Sequence, residues 1–247
     1  MATLVSWPLT LTSLAAGALY LFVGYHLSAR KLEDPRERLA WRLFMLWWFG
    51  LAGTTLVSTV RNLLQLFGVA DPGLNGTATY LNLLLVCAAV WGLSYYFLYL
   101  FTGNPRLLVP SLVFYGTVYV VLLYLITANL SATLDSGGAA NGKSSPAWVL
   151  PALLLLIGPV FLGALGYLSL AFRIHDRSQQ FRIVLVSGSI LTWFLGSLLV
   201  MMLNASGAIG LRLLSQFLGL LAAIAVTWAY FPPLWIQRYL NVKPVQR

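Results

Sequence analysis

The sequence predicts an all-α protein, an integral membrane bundle of seven transmembrane helices, and three observations predict it. Hydrophobic residues make up 60% of the chain and charged residues 9%, whereas a soluble domain averages about 45–50% and about 25%. The apolar residues fall in successive runs, each long enough to cross roughly 30 Å of hydrocarbon at about 1.5 Å per helical residue. Twelve of the fifteen Lys and Arg side chains fall at one set of helix ends, the asymmetry expected of cytoplasmic loops. No segment is long enough for a separate soluble domain, so residues 1–247 read as a single transmembrane domain.

Each element has its own signal. Helix 1 is expected over Pro8–Ser28; the stretch MATLVSWPLTLTS lacks the positive n-region of a cleavable signal, so this run reads as a retained span. Helix 2 is expected over Pro35–Phe67, with Asp34 as cap, Pro35 at the first helical position and Glu37 placed for a capping box. Asp71-Pro72-Gly73 reads as a turn, followed by helix 3 over Thr77–Phe101 with Gly103 just past its end. Asn104-Pro105 repeats the cap-plus-proline signal and opens helix 4, which reaches Thr127. Asn129–Ser144 is a polar loop rich in Ser, Gly, Ala and Asn. Ser145-Pro146 is the expected start of helix 5, which runs to Ile174 with Pro151 and Pro159 as bend points. Helix 6 is expected over Gln179–Leu203 and helix 7 over Leu211–Tyr239.

The charge asymmetry orients the bundle. Arg30, Lys31, Arg36, Arg38, Arg42, Arg106, Arg173, Arg177, Arg182, Arg238, Lys243 and Arg247 share one side, against Lys143, Arg212 and Arg61 on the other. The first group is expected to be cytoplasmic, which places the N-terminus outside and the C-terminus inside. Small residues at helical spacing mark close helix contacts: Gly188, Thr192 and Gly196 with Ser189 and Ser197 beside them, Gly158, Gly163 and Gly166, and Gly50 and Gly53.

Several functions are disfavoured. The net charge of +9 sits at helix ends, as a membrane protein requires, so nucleic acid is not an expected partner. No Asp or Glu lies in the middle of a span, against a carboxylate-driven pump or an ion-coupled transporter. Helix 7 has no lysine for a retinal Schiff base, so the topology is rhodopsin-like without rhodopsin chemistry, and Trp91 and Trp193 read as packing residues. His26 and His175 stand at helix ends with no partner at i+3 or i+4, and Cys87 is a lone cysteine in an apolar run, so no metal or cofactor is expected. No GxSxG or HExxH arrangement exists, so the chain reads as a non-enzyme.

The positive signal is polar. Ser58, Arg61 and Gln65 recur at helical spacing near the far end of helix 2. Asn82 lies at similar depth on helix 3, and Ser215 and Gln216 on helix 7. If helices 2, 3 and 7 are neighbours, these groups converge below the outer surface, with Arg61 as a fixed charge for a carboxylate, phosphate or lipid headgroup. The competing reading is that Arg61 snorkels to the interface, because Arg42 to Arg61 spans roughly 28 Å, close to a full crossing. Asp71 and Asp135 are its candidate ion-pair partners. Tyr95 and Tyr99 share one face of helix 3, and Tyr115 and Tyr119 one face of helix 4; they read as interhelical packing, with a pocket for an apolar ligand as the sharper alternative. ARKLEDPRERLAWR and AFRIHDRSQQFRI form a basic face for anionic lipid or for a docking partner.

The order of these features, with the tract YYFLYLFTGNPRLLVP joining helices 3 and 4 and the ending AYFPPLWIQRYL, resembles the seven-helix sensory regions that precede bacterial histidine kinases and related signalling proteins. That resemblance implies a prokaryotic inner (cytoplasmic) membrane and a last helix that leads towards a cytoplasmic signalling partner. Residues 1–247 cover the seven-helix part of that pattern, and its signalling domains lie outside them. The function expected is a sensor or receptor-like module that binds a small or lipid-like ligand through Arg61, Gln65, Ser58, Asn82 and Gln216. A small-molecule or lipid transporter and an accessory subunit of a membrane complex are the alternatives.

Overall fold

The computed structural model describes residues 7–30, 32–69, 71–128, 149–206 and 209–241. Every regular element among them is helical: α1 Trp7–Ser28, α2 Pro35–Leu66, α3 Pro72–Thr102, α4 Leu108–Ala128, α5 Val149–Leu170, α6 Arg177–Ser206, α7 Ile209–Tyr230 and a short α8, Leu234–Leu240. A 3-10 turn, Pro105–Leu107, leads into α4. Six helices, α1 to α4, α6 and α7, are long and apolar enough to cross a membrane, and α5 adds the apolar stretch Leu154–Leu170. The chain is a multi-pass helical membrane protein.

The helix starts share one local chemistry. Asp34, Asp71 and Asn104 each precede a proline, and each side chain accepts from the backbone N–H two residues on: Arg36 at 2.8 Å, Gly73 at 2.8 Å and Arg106 at 3.0 Å. Asp71-Pro72 is therefore a cap and first helical residue, as Asp34-Pro35 is, and α3 starts at Pro72 rather than at the expected Thr77. Asp176 caps α6 in the same way, accepting from Ser178 N–H at 2.9 Å, so α6 starts at Arg177 and not at Gln179.

The ends differ from expectation where hydrogen bonding runs out. After α5 the N–H groups of Ala171, Phe172 and Arg173 bond three residues back, so the helix tightens and stops before Ile174. The expected helix 7 is two helices. Pro232 and Pro233 have no N–H to donate, so α7 ends at Tyr230 and α8 begins at Leu234. Gln237 donates from Nε2 to the Pro232 carbonyl at 2.6 Å and holds the corner. Gly103 closes α3 at φ 63, a left-handed conformation that suits glycine. Pro151 falls in the first turn of α5, where it removes no internal hydrogen bond, and only Pro159 stands inside that helix. The loop Asn129–Ser144 and the start at Ser145-Pro146 lie outside the described residues.

The packing order follows the chain. α2 packs on α3 and α1, α1 on α7, α7 on α6, α6 on α5 and α5 on α3; α4 sits outside, against α3 and α5. α4 is also the least buried of the six spans, at 17%. The α2–α3 seam is close because small residues face it: a side chain at Gly50 would meet Ala89, and one at Gly92 would meet the Leu43 carbonyl. The α6–α7 seam is tied by hydroxyls, Ser189 Oγ donating to the Ala222 carbonyl at 2.7 Å and Ser215 Oγ to the Gly196 carbonyl at 3.0 Å. Large apolar side chains such as Leu11, Leu21, Val113, Val120 and Leu162 point outward, the arrangement expected when lipid is the solvent.

An aromatic layer crosses the middle. Trp47 and Trp48 are both 0% exposed. Trp48 stacks on Tyr20 of α1, with centroids 6.1 Å apart, and meets Phe44 edge-on; Trp47 meets Trp193 of α6 edge-on at 4.9 Å. Trp91 donates to Ser111 Oγ at 3.2 Å and helps tie α3 to α4. The polar groups therefore sit in two separate regions, one on each side of this layer.

Candidate functional site

The polar face of α2 lies in the half of the helix away from Arg30 and Arg36, here called the far end. Most hydroxyls there are satisfied by their own helix. Thr54 and Thr55 donate to the Leu51 carbonyl, each at 2.9 Å, and Thr59 to the Thr55 carbonyl at 2.8 Å. Such back-bonding removes a hydroxyl from lipid without needing a second helix. These threonines are therefore structural.

The next turn is different. Asn82 of α3 reaches Ser58 Oγ of α2 through Nδ2 at 3.5 Å, a long contact that places the two side chains together. Asn82 Oδ1 is buried with no partner. Asn62, four residues after Ser58 and so on the same face, is 1% exposed, and its Oδ1 also lacks a partner. Arg61 is half-buried, and its Nε–H is buried without an acceptor. Gln65 follows one turn on and is half-buried. Buried polar atoms left unpaired cost about 1–3 kcal/mol each, more when charged, so each of these three atoms calls for an explanation, a bound partner being one. The group presents one cationic donor and two amide acceptors. It is suited to a molecule with an anionic or strongly polar oxygen for Arg61 and a hydroxyl for the two asparagines.

The α7 residues do not join this group. Gln216 Oε1 accepts from Ser13 Oγ of α1 at 2.8 Å, and Ser215 is spent on Gly196 of α6. The main packing partners of α7 are α1 and α6, and α1 stands between α7 and α2. The expected convergence of helices 2, 3 and 7 is thus replaced by an α2–α3 group and a separate α1–α7 pair. The physical reason is ring closure: the first helix packs against both the second and the last. Tyr20 of α1 makes the same link deeper in the bundle, donating to the Gly219 carbonyl at 3.1 Å.

Asp71, one expected partner of Arg61, caps α3 instead, and Asp135 lies outside the described residues. The tyrosines behave as packing groups: Tyr95 stacks on Tyr99, and Ser94 and Tyr115 share a buried hydrogen bond of 2.5 Å. Asn62 and Ser13 are the additions to the expected set. Asn62 carried a usable signal, the four-residue step from Ser58. Ser13 carried none, because its meaning depends on which helix lies beside it. Among the described residues no group of His, Cys, Asp and Glu is arranged to hold a metal. Compared with known proteins, the chain matches no family, no curated protein and no solved structure.

Proposed function

We propose that the protein is a membrane sensor or receptor-like module that binds a small or lipid-like ligand at the far end of α2 and α3. In this reading all of α1 to α7 cross a prokaryotic inner membrane, the N-terminus is outside, and the basic helix ends face the cytoplasm. Arg61, Asn62 and Asn82 then lie near the outer leaflet. The observation that carries the reading is the buried Arg61 Nε without an acceptor, on the helix turn that also carries Asn62, whose Oδ1 has no partner, and Ser58, which Asn82 of α3 reaches. Arg61 is half-buried as a whole, and Nε is the one of its donors that is buried without an acceptor. Ligand binding would shift α2 against α3 along their close seam, and the shift would reach a cytoplasmic signalling protein at the basic end.

Native mass spectrometry of the full chain, gently solubilised from its host membrane, tests this. A small adduct that is lost in Arg61→Ala and kept in Arg106→Ala supports the site and gives the ligand's mass. An adduct that survives Arg61→Ala removes the site. Flux of that ligand across reconstituted vesicles would instead make the protein a carrier, since a sensor moves nothing.

A further inference from the structure

At the basic end the helices do not close on one another. They leave a cavity of about 960 Å³, on the opposite side of the aromatic layer from Arg61 and independent of that site. Its chemistry is concentrated in six residues: Arg30, Arg177, Arg182, Tyr96, Tyr167 and Tyr230. The tyrosines come from α3, α5 and α7 and belong to the inner end of the core; Tyr230 is only 8% exposed. They share one space with the arginines.

Arg30 is oriented by an aromatic neighbour. Trp41 forms part of the wall and is fixed by donating from Nε1 to the Leu27 carbonyl at 3.1 Å. The Arg30 guanidinium lies over the Trp41 ring, 5.2 Å from its centroid, a cation–π arrangement that orients the fork. Arg177 and Arg182 are carried by the first two turns of α6. The lining also carries a carboxylate, Asp176, which accepts the Ser178 amide as the cap of that helix and keeps its charge. Three guanidiniums against one carboxylate leave the lining net positive, which favours an anion in the recess.

We propose that this cavity binds a phosphate-bearing organic anion, with Arg30, Arg177 and Arg182 on the phosphate oxygens and the tyrosine hydroxyls as neutral donors. A carboxylate offers two oxygens and engages one guanidinium fork, whereas a terminal phosphate offers three oxygens and up to two charges. All three cations are arginine, the residue whose planar fork matches phosphate. The volume lies at the upper end of the roughly 300–1,000 Å³ usual for organic ligands, so the phosphate has room for an attached body. A phospholipid headgroup and a soluble organophosphate carry the same chemistry, and the test separates them.

The full chain is placed in phosphatidylcholine nanodiscs. One arm titrates ATP as the soluble organophosphate and follows equilibrium binding. The other adds phosphatidic acid, whose phosphate is a terminal monoester, and counts retained lipid by native mass spectrometry. Saturable binding in the first arm identifies a soluble ligand class, and selective retention in the second a lipid. In whichever arm binds, R30Q/R177Q/R182Q is expected to weaken binding by about 1,000-fold, at roughly tenfold per lost charged contact. Arg106→Gln, a basic-end arginine outside the cavity, is expected to change nothing. Arg182→Lys keeps the charge and loses the fork, so an intermediate loss is expected even if the triple variant does not fold. The proposal is overturned if neither probe binds saturably, or if Arg106→Gln weakens binding as much as the cavity variants do.

Discussion

The two ends of this bundle handle charge in opposite ways. At the far end Arg61 is set into the surface of α2 next to Asn62, and nearby hydroxyls are consumed by their own backbone. At the basic end three arginines from two parts of the chain surround an open recess floored by tyrosines. The first arrangement is narrow, with its polarity paid out atom by atom; the second is wide and dominated by field. Specific recognition of one polar group suits the first, and capture of a multiply charged group suits the second. Trp47, Trp48 and Trp193 stand between them, so a molecule at one end does not reach the other without repacking this layer.

The largest expected effect comes from breaking that separation. Trp48→Ala removes a fully buried ring that stacks on Tyr20 and meets Phe44. Core Trp-to-Ala changes cost about 3–5 kcal/mol through lost contacts and the cavity left behind. Thermal unfolding in detergent should show a drop of that order. A loss below about 1 kcal/mol would mean that the layer is not tightly packed, and the ends would then be less isolated than the ring contacts imply.

A smaller effect is expected at the α3–α4 seam. Tyr115→Phe removes one partner of the buried bond to Ser94 and leaves that serine, 4% exposed, without it. The expected cost is about 1–3 kcal/mol, read as a shift in the unfolding midpoint. Neither polar end should respond, since the pair touches neither; a changed affinity at either end would show that α4, the most peripheral span, is coupled to the sites.

The two ends also differ in how far the sequence reveals them. Periodicity along a single helix exposes the far end, because Ser58, Arg61, Asn62 and Gln65 recur on one face of α2. The Asp34-Pro35 and Asn104-Pro105 starts are equally local and both hold in the structure, whereas Asp71-Pro72, read as a turn, is a third start of the same kind. The break after α7 was also written locally, in Pro232-Pro233, although the apolar run continues past it. The basic-end cavity is another matter. Tyr96, Tyr167 and Tyr230 lie in three helices separated by long stretches of chain, and only helix packing makes them a floor. The basic segment between α5 and α6 is visible as charge, but a charged helix end and a charged recess have the same composition. Gln216 shows the limit from the other side: its depth was readable, while its neighbour depended on ring closure through α1.

The smallest expected effect is the one that defines the far-end site most sharply. Ser13 and Gln216 make a satisfied pair between α1 and α7, and such hydrogen bonds in membrane bundles average about 0.6 kcal/mol in double-mutant cycles. Ser13→Ala, Gln216→Ala and the double variant should therefore show a coupling near that value in unfolding measurements. Asn82→Ala should behave differently, since it loses only the long 3.5 Å contact to Ser58 Oγ and removes an unpaired Oδ1; stability should barely change while any Arg61-dependent adduct is lost. If Ser13→Ala removes the adduct as well, Gln216 belongs to the binding group, and ligand binding must bring α7 to α2 past α1. If the adduct survives, the site is confined to α2 and α3, and the α1–α7 pair serves to close the ring.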